Sequence, residues 1–292
     1  MGVGGGETSN VRAWRPPLPG VHEVLHARFA EHGYPPHTHT VWAVLIVDSG
    51  SIAYDLDRRS HGTVGADVTV LPPYVVHDGR PAGAAGFVKR VLYLDDGVLP
   101  ADLVGRAVDR PTIRDAGLRR AIGALHDGLV PGGDPLAAEG RLALVADRLA
   151  GWLAGRPPAE PAVPGPARRR LAAGLRDLLD ADVPGGVTLA DAAALLGSDP
   201  ASLVRAFSAA FGITPHAYLV GRRLELARDL LLDGVRPAEA AARSGFYDQA
   251  HLTRHFRRFL ATTPGRFARA QARDRARDRA GAPAKGDRRP PR

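Results

Sequence analysis

Three histidines in the first third of the chain have a spacing that suits ligand or metal binding. His37 and His39 lie two residues apart at the start of a predicted strand, in PPHTHTVWAVLIV, so both imidazoles point to one face. His77 follows the run GADVTVLPPYVV. Three imidazoles can hold zinc or iron, although no carboxylate occurs between Glu31 and Asp48 to join them. The same side chains could instead form hydrogen bonds at a barrel mouth, with no ligand.

The residues that follow the first two histidines favour an organic ligand over a metal. Ala43, Leu45 and Val47 alternate along the strand and would line an apolar lumen, which suits a small-molecule pocket. By the same alternation Trp42 faces away from His39, toward the helices or a second subunit. The candidate effector-binding residues are His37, His39, Trp42, Tyr54 and His77. No metal is expected; if one binds, His37, His39 and His77 would hold it.

Two segments of the last third resemble each other and carry a second set of functional side chains. They span Ala192 to Pro215 and Ala240 to Pro264. Four pairs of identical residues lie 49 positions apart: Leu203 and Leu252, Arg205 and Arg254, Phe207 and Phe256, Pro215 and Pro264. A repeat of turn, core and charged positions indicates a duplicated supersecondary unit.

Each copy has the pattern of a helix-turn-helix unit. A short Ala-rich helix is followed by a glycine, Gly197 or Gly245, which permits a tight turn. Asp199 or Asp248 then caps a second helix. The outer face of that helix carries arginine, glutamine and threonine, which suit base edges and phosphates. A long predicted helix over Pro215–Leu232 joins the copies, so the two second helices could enter major grooves about 34 Å apart.

These motifs resemble those of the AraC/XylS family of bacterial transcription regulators. The resemblance rests on TLADAAALLGSDPASLVRAFSAAFGITPHAYLVGRRLELARDLL and AARSGFYDQAHLTRHFRRFLATTPGRFAR, about a hundred residues. It implies base contacts from the second helix of each copy. With the polar neighbours on the same helix, the candidate DNA-binding residues are Ala201, Ser202, Val204, Arg205, Gln249, Ala250, His251, Thr253, Arg254 and Arg257. The resemblance also implies a cupin-like sensor domain, with activation more common than repression.

The remaining sequence supplies the elements that position these residues. Short β-rich runs fill residues 21–94, and Val41–Val47 with Asp48–Gly50 predicts a hairpin. Helices are predicted at 115–130 and 137–154, which are candidates for a dimer contact. We predict an α+β fold: an N-terminal cupin-like antiparallel β-barrel with flanking helices, then an all-α domain with two helix-turn-helix units. The predicted boundaries are a disordered N-terminus at 1–20, a sensor domain at 21–154, a Pro/Gly linker at 155–166, the DNA-binding domain at 167–270 and a disordered basic tail at 271–292.

Composition and charge agree with this division. The 292 residues carry a net charge of +8, but residues 1–154 have 15 basic and 17 acidic side chains, whereas residues 155–292 have 24 and 14. Only the second half is therefore expected to meet a polyanion. The absence of cysteine fits a reducing cytoplasm, and no stretch is long and apolar enough for a membrane span. No nucleophile elbow, phosphate-binding loop or HExxH motif occurs.

The sequence thus predicts a cytoplasmic, sequence-specific DNA-binding regulator rather than an enzyme. Its expected partners are double-stranded DNA, an unidentified small-molecule effector, a second copy of the chain and, if it activates, RNA polymerase. Effector binding in the barrel would change how two DNA-binding domains reach their half-sites. Two alternatives stay open: a cupin metalloenzyme fused to a DNA-binding domain, and a ligand-blind regulator whose barrel serves only dimerisation.

Overall fold

The computed structural model describes residues 10–130, 133–156 and 165–270. Its N-terminal domain is built from antiparallel strands, with β4 shared between two layers. One layer has the order β1-β2-β8-β4-β6-β9, and β3, β5 and β7 join through the second half of β4. The strands are β1 (Asn10–Trp14), β2 (Val21–Phe29), β3 (Tyr34–His37), β4 (Trp42–Leu56), β5 (Arg59–Val64), β6 (Val68–Leu71), β7 (His77–Pro81), β8 (Phe87–Leu94) and β9 (Thr112–Ile113). The predicted cupin-like antiparallel fold is confirmed.

Strand β4 continues through the segment where the sequence predicted a hairpin. A register shift lies between Val47 and Ser49, and Gly50 has φ +76°. A Cβ at Gly50 would lie 2.1 Å from the carbonyl oxygen of Gly86, so only glycine fits there. The hairpin at Asp48–Gly50 was wrong because this signal marks a bulge, which bends the strand from one layer into the other.

The reversal that follows β4 occurs later in the chain. Asp57 and Arg58 have φ of 46° and 64°, and β5 pairs back from Arg59 opposite Leu56. Two successive residues with positive φ are the mark of a type I′ hairpin turn, which matches the twist of the flanking strands. Neither residue is glycine, and for that reason the turn was missed.

Alternate residues of β4 enter two separate cores. Trp42, Val44 and Ile46 pack in an outer core with the helices that cover the sheet, whereas Ala43, Leu45 and Val47 lie in the barrel interior. The covering helices are α1 (Val104–Asp109), α2 (Ala116–Gly128) and α3 (Pro135–Leu153). Helices α2 and α3 correspond to the two that the sequence predicted.

Asp115 joins α2 to α3. Its carboxylate accepts hydrogen bonds from Gly117 N and Leu118 N at the start of α2, and from Arg148 Nε and Trp152 Nε1 of α3 at 2.7 Å each. Burial alone would raise the pKa of this carboxyl, but the hydrogen bonds from Arg148, Leu118 and Trp152 lower it to about 2.

We expect Asp115→Ala to lower the free energy of unfolding by about 2–4 kcal/mol, because it removes a helix cap and the partner of a half-buried guanidinium. Since the pKa of Asp115 is depressed in the folded state, its contribution is present above pH 4 and is lost as pH falls toward 2. Urea titrations of wild type and variant at pH 7 and pH 3 measure both effects. Asp102→Ala, at an exposed site with no capping bond, should change stability by less than about 0.5 kcal/mol. If Asp115→Ala lowered the free energy of unfolding by as little, Asp115 would not hold α2 and α3 together.

The C-terminal domain consists of two helix-turn-helix units around one long helix. The first unit is α5–α6 and the second α8–α9, with α7 between them, and residues 264–270 are also helical. The helices are α4 (Pro166–Ala181), α5 (Leu189–Leu195), α6 (Pro200–Phe211), α7 (Pro215–Leu232), α8 (Pro237–Arg243) and α9 (Gln249–Leu260). The turn glycines Gly197 and Gly245 have φ of +60° and +82°, as their predicted role requires.

Each unit has its own hydrophobic core. Leu203 and Phe207 of α6 pack with α4 and α5, and Leu252 and Phe256 of α9 occupy the equivalent places beside α7 and α8. Side-chain caps of Asp199 and Asp248 begin the two second helices, through bonds from Ser202 N and His251 N. The sequence repeat therefore corresponds to a repeat of packing.

The predicted chain ends differ from the structure where it describes them. Asn10–Trp14, inside the segment 1–20 that was expected to be disordered, pair with β2, and Trp14 Nε1 donates to Leu129 O at 2.9 Å. Glycine and proline on either side hide this short strand in the sequence. Helix α4 begins at Pro166, inside the predicted linker. Three segments lie outside the described residues: the N-terminal residues 1–9, the linker residues 157–164 and the tail 271–292. None of the helices described is long and apolar enough to cross a bilayer.

Candidate functional site

Helix α9 presents a continuous polar face to solvent. Its inner side is held by Leu252 and Phe256, which are fully buried. On the opposite side a shallow concave surface is formed by five of the predicted residues, Gln249, Ala250, Thr253, Arg254 and Arg257. All but the half-buried Thr253 are exposed. An exposed helix face with two guanidiniums and an amide has the donors that read base edges in a major groove.

His251 does not belong to that face. Its side chain is 6% exposed, its Nε2 lies 3.1 Å from His255 Nε2, and its ring packs against Phe246. Burial lowers the pKa of His251, so the ring is neutral at pH 7. The prediction that His251 contacts DNA is wrong in this structure. His251 lies three residues after the cap Asp248, and its side chain points toward the turn between α8 and α9.

The corresponding face of α6 is covered by α3 of the N-terminal domain. Ala201 and Val204 are 5% and 3% exposed, and Arg205 Nη1 donates to Asp147 Oδ2 at 2.6 Å. Ser202 is half-buried and accepts a bond from Arg205 Nη2. Four predicted DNA-contact residues are therefore brought together, but Ala201 and Val204 are buried, and the exposed Arg205 is paired with Asp147 of the other domain.

The three histidines of the barrel lie together as the sequence predicted. One nitrogen of each of His37, His39 and His77 falls within 4.8 Å of the others, and His77 Nε2 is 3.3 Å from His39 Nε2. The Nδ1 atoms of His37 and His77 lie 2.8 and 3.0 Å from backbone carbonyls. Since a carbonyl can only accept, these Nδ1 atoms carry the protons and the Nε2 lone pairs turn inward.

The environment keeps two of these imidazoles uncharged. Burial, with the neighbouring imidazoles and Lys89, lowers the pKa of His39 to about 4, and burial also lowers the pKa of His77. Three imidazoles that share a focus, with His39 and His77 held uncharged, fit a divalent metal such as zinc. No carboxylate belongs to this group among the described residues.

Lys89 is a site residue that the sequence interpretation missed. It projects from β8 into the same small cavity, with its Nζ 4.2 Å from the centre of the Tyr34 ring. Burial lowers the pKa of Lys89 to about 8. It could have been found by alternation, since Phe87, Val91 and Tyr93 on the same strand also line the cavity. A cation at this place would repel a metal ion and attract an anionic group.

The cavity itself has a volume of about 50 Å³ and is lined by His37, His39, Tyr54 and His77 together with Lys89. Trp42 is not among its walls, because its side chain is 1% exposed in the outer core with the helices. The prediction of Trp42 as an effector contact was therefore wrong, as the strand alternation already indicated.

A larger cavity lies between the two domains, with a volume of about 710 Å³. Its walls include Trp14 and Leu136 of the N-terminal domain and Leu219, Arg223 and Tyr247 of the helical domain. Pockets for organic ligands have volumes of about 300–1,000 Å³ and are mostly apolar. The sequence carried no signal for this cavity, since its walls come from five separate segments.

Two family models match this chain. Residues 19–146 match an AraC-like ligand binding domain, and residues 192–270 match a helix-turn-helix domain. The first match lies in the N-terminal domain and the second in the helical domain.

Among curated relatives, an uncharacterized HTH-type transcriptional regulator of Bacillus subtilis (YbfI) is 44% identical over 66 residues, which are 23% of this chain and 24% of the relative. The transcriptional activator NphR of Rhodococcus sp is 35% identical over 99 residues, or 34% and 28% of the two chains. The chain thus spans about a quarter of the length of the curated relatives that it matches. A solved structure, that of the AraC-like transcriptional activator CuxR, aligns with 81% of this chain and 91% of its own at 17% identity and a TM-score of 0.38.

Proposed function

Because the chain belongs to the AraC/XylS family of transcription regulators, we propose that it binds double-stranded DNA at a specific sequence and controls transcription there. The observation that carries the proposal is the exposed face of α9, in which Gln249, Arg254 and Arg257 project from one side of a capped helix. The helix is held by a buried core on its other side. It can therefore enter a groove without any loss of packing.

The geometry of the two units indicates how they would read DNA. Helix α7, which joins the two units, has 18 residues and is about 27 Å long, a length of the same order as the roughly 34 Å between successive major grooves on one face of DNA. In α9, Arg254 suits the two acceptors of guanine, and Gln249 suits adenine. In α6, Arg205 is the equivalent reader, with Ala201, Ser202 and Val204 beside it.

Selection of binding sites tests this proposal. Purified full-length protein is mixed with genomic fragments from the neighbourhood of its own gene, at physiological salt and with excess competitor DNA. We expect a discrete site that binds about 10³-fold or more tightly than random DNA. Binding that depends on salt but not on sequence would contradict the proposal, because it would mean that only the arginine charge meets DNA.

We propose further that a small molecule regulates this binding. The barrel cavity of about 50 Å³ has room for roughly three or four waters, so an effector there would be small and would contact His37, His39, Tyr54 and His77. The interdomain cavity of about 710 Å³ accommodates a larger effector. A thermal-shift screen of metabolites tests for a ligand that raises the melting temperature. Loss of that increase in His77→Ala would place the ligand in the barrel cavity, and loss in Leu219→Ala would place it between the domains. A chain that responds to no metabolite would support the ligand-blind alternative.

A metal ion in the barrel is the second candidate, supported by the inward Nε2 atoms of His37, His39 and His77. Bound there, zinc would supply a Lewis acid with open positions. Titration with Zn²⁺, followed by calorimetry and metal analysis, tests it: one equivalent is bound if the imidazoles form a metal site, and His77→Ala abolishes the binding. If His77→Ala binds the same amount as wild type, these imidazoles are not a metal site.

The proposed function also sets the expected partners and compartment. A regulator of this kind acts in the cytoplasm, contacts RNA polymerase if it activates, and binds paired half-sites as a homodimer. Sedimentation of the protein alone and on DNA measures the dimer. A single chain on the selected site would contradict it.

A further inference from the structure

The side of α6 that the proposed function assigns to DNA is packed against α3. Along α3, Leu136, Gly140 and Leu144 form a stripe at helical spacing that faces the helical domain. Leu136 is buried in the core of the first unit, and Leu144 packs against it. A Cβ on Gly140 would lie 3.6 Å from Leu189 and 3.7 Å from Val204, so this position of α3 faces both α5 and α6.

Three carboxylates extend this contact along the same helix. Asp147 accepts from Arg205 Nη1 at 2.6 Å, and Glu139 Oε2 accepts from the backbone N–H of Leu189 at 2.6 Å. At the start of α3, Asp134 Oδ2 lies 3.2 Å from His216 Nε2. Asp134 and Asp147 are thirteen residues apart, about 20 Å along a helix. The α3 helix thus presents anionic groups to a guanidinium, an imidazole and an amide, the types of donor that otherwise contact DNA phosphates and bases.

The ion pairs and the apolar stripe contribute unequally to the contact between α3 and α6. The pair of Arg205 and Asp147 is nearly half exposed on both sides, and exposed ion pairs stabilise weakly. The apolar stripe is buried and contributes more. Release of α3 therefore uncovers apolar surface as well as charge.

We propose that the acidic face of α3 is an intramolecular competitor of DNA for the first helix-turn-helix unit. In the docked state of this structure, α9 is available to a major groove, whereas Ala201 and Val204 of α6 are buried and Arg205 is paired with Asp147. Binding through both units requires α3 to leave α6. The inference rests on the proposed function and adds the regulation of the same DNA-binding surface.

A disulfide lock tests the proposal directly, because the chain contains no cysteine. Gly140→Cys with Val204→Cys places two thiols across the contact of α3 and α6, where a Cβ on Gly140 would lie 3.7 Å from the Val204 side chain. In the oxidised state we expect the full-length protein to protect only the groove of α9 on its selected site, and to bind at least about tenfold more weakly than the same protein after reduction. The reduced form is the matched control. An oxidised protein that protects both grooves with the affinity of the reduced form would overturn the proposal.

A second variant weakens the contact without a cross-link. Glu139→Gln with Asp147→Asn removes two of the α3 carboxylates, and we expect tighter binding with stronger protection of the α6 groove. Asp96→Asn with Asp102→Asn removes the same charge from exposed sites of the same domain and controls for a general electrostatic gain. Equal gains in the two double variants would overturn the competition. If no version of the protein recovers a specific site, the proposed function itself fails, which is a different result.

Discussion

Arg254→Ala is expected to weaken binding to the selected site by about 1–3 kcal/mol and to relax the preference at one base pair. Arg254 is exposed on α9 and shares its face with Gln249 and Thr253. A guanidinium there can donate two parallel hydrogen bonds to guanine, and alanine can donate none. Titrations of the variant against the site and its single-base substitutions measure both effects.

The control for Arg254 is an arginine of the other domain. Arg120→Ala removes the same charge from an exposed position of α2, away from the predicted interface, and should change specific binding by less than a factor of about two. If Arg254→Ala lowers affinity for all DNA equally, the residue contacts phosphates and does not read a base.

Phe256→Ala is expected to lower the free energy of unfolding by about 3–5 kcal/mol, as is typical for loss of a fully buried aromatic ring. The ring is 0% exposed and packs against Phe267 at 5.5 Å between centroids. It fills the core that holds α9 against α7 and α8. Chemical denaturation measures the loss, which should appear as a lower midpoint.

Phe207→Ala is expected to cost a similar amount, because Phe207 is 0% exposed in the equivalent core. Phe259→Ala is the matched control. Phe259 is also a phenylalanine of α9, but it is 56% exposed, so its removal should change the free energy of unfolding by about 0.5 kcal/mol or less. A small loss for Phe256→Ala, or a large one for Phe259→Ala, would contradict the inner and outer faces assigned to α9.

The architecture of the helical domain could be predicted because its signals are local. Each helix has a cap or an initial proline, such as Asp199–Pro200 or Thr214–Pro215, and each turn from α4 to α9 has a glycine with positive φ. The duplication repeats the same pattern in both units. Residues spaced four apart, such as Leu252 and Phe256, occupy the core as the helical period requires.

The barrel was harder to predict because its decisive features are pairings between distant strands. The bulge at Val47–Ser49 and the turn at Asp57–Arg58 depend on partners in β8 and β5. Residues 48–50 looked like a turn, since nothing local distinguishes a glycine in a bulge from one in a hairpin. Lys89 follows the alternation of β8 with Phe87, Val91 and Tyr93, but its charge gave no reason to place it in the barrel interior.

The contact between the domains could not be predicted from the sequence. Helix α3 has apolar residues on two sides: Leu142, Val145 and Leu149 face the sheet, and Leu136 and Leu144 face the helical domain. A second apolar stripe indicates that the helix packs against another surface, but it does not identify that surface. From the sequence, this helix was therefore interpreted as a candidate for a dimer contact. In the structure that stripe packs against α5 and α6 of the same chain. The dimer stays a prediction.

The most direct measurement of the central claim is a hydroxyl-radical footprint of the full-length protein on its selected site, combined with interference by methylated guanine. We expect a discrete footprint, and we expect methylation of a guanine in the DNA groove that α9 occupies to block binding. In Arg254→Ala this interference should disappear. Protection spread evenly along any fragment, with no guanine whose methylation matters, would contradict the claim that α9 reads a DNA sequence.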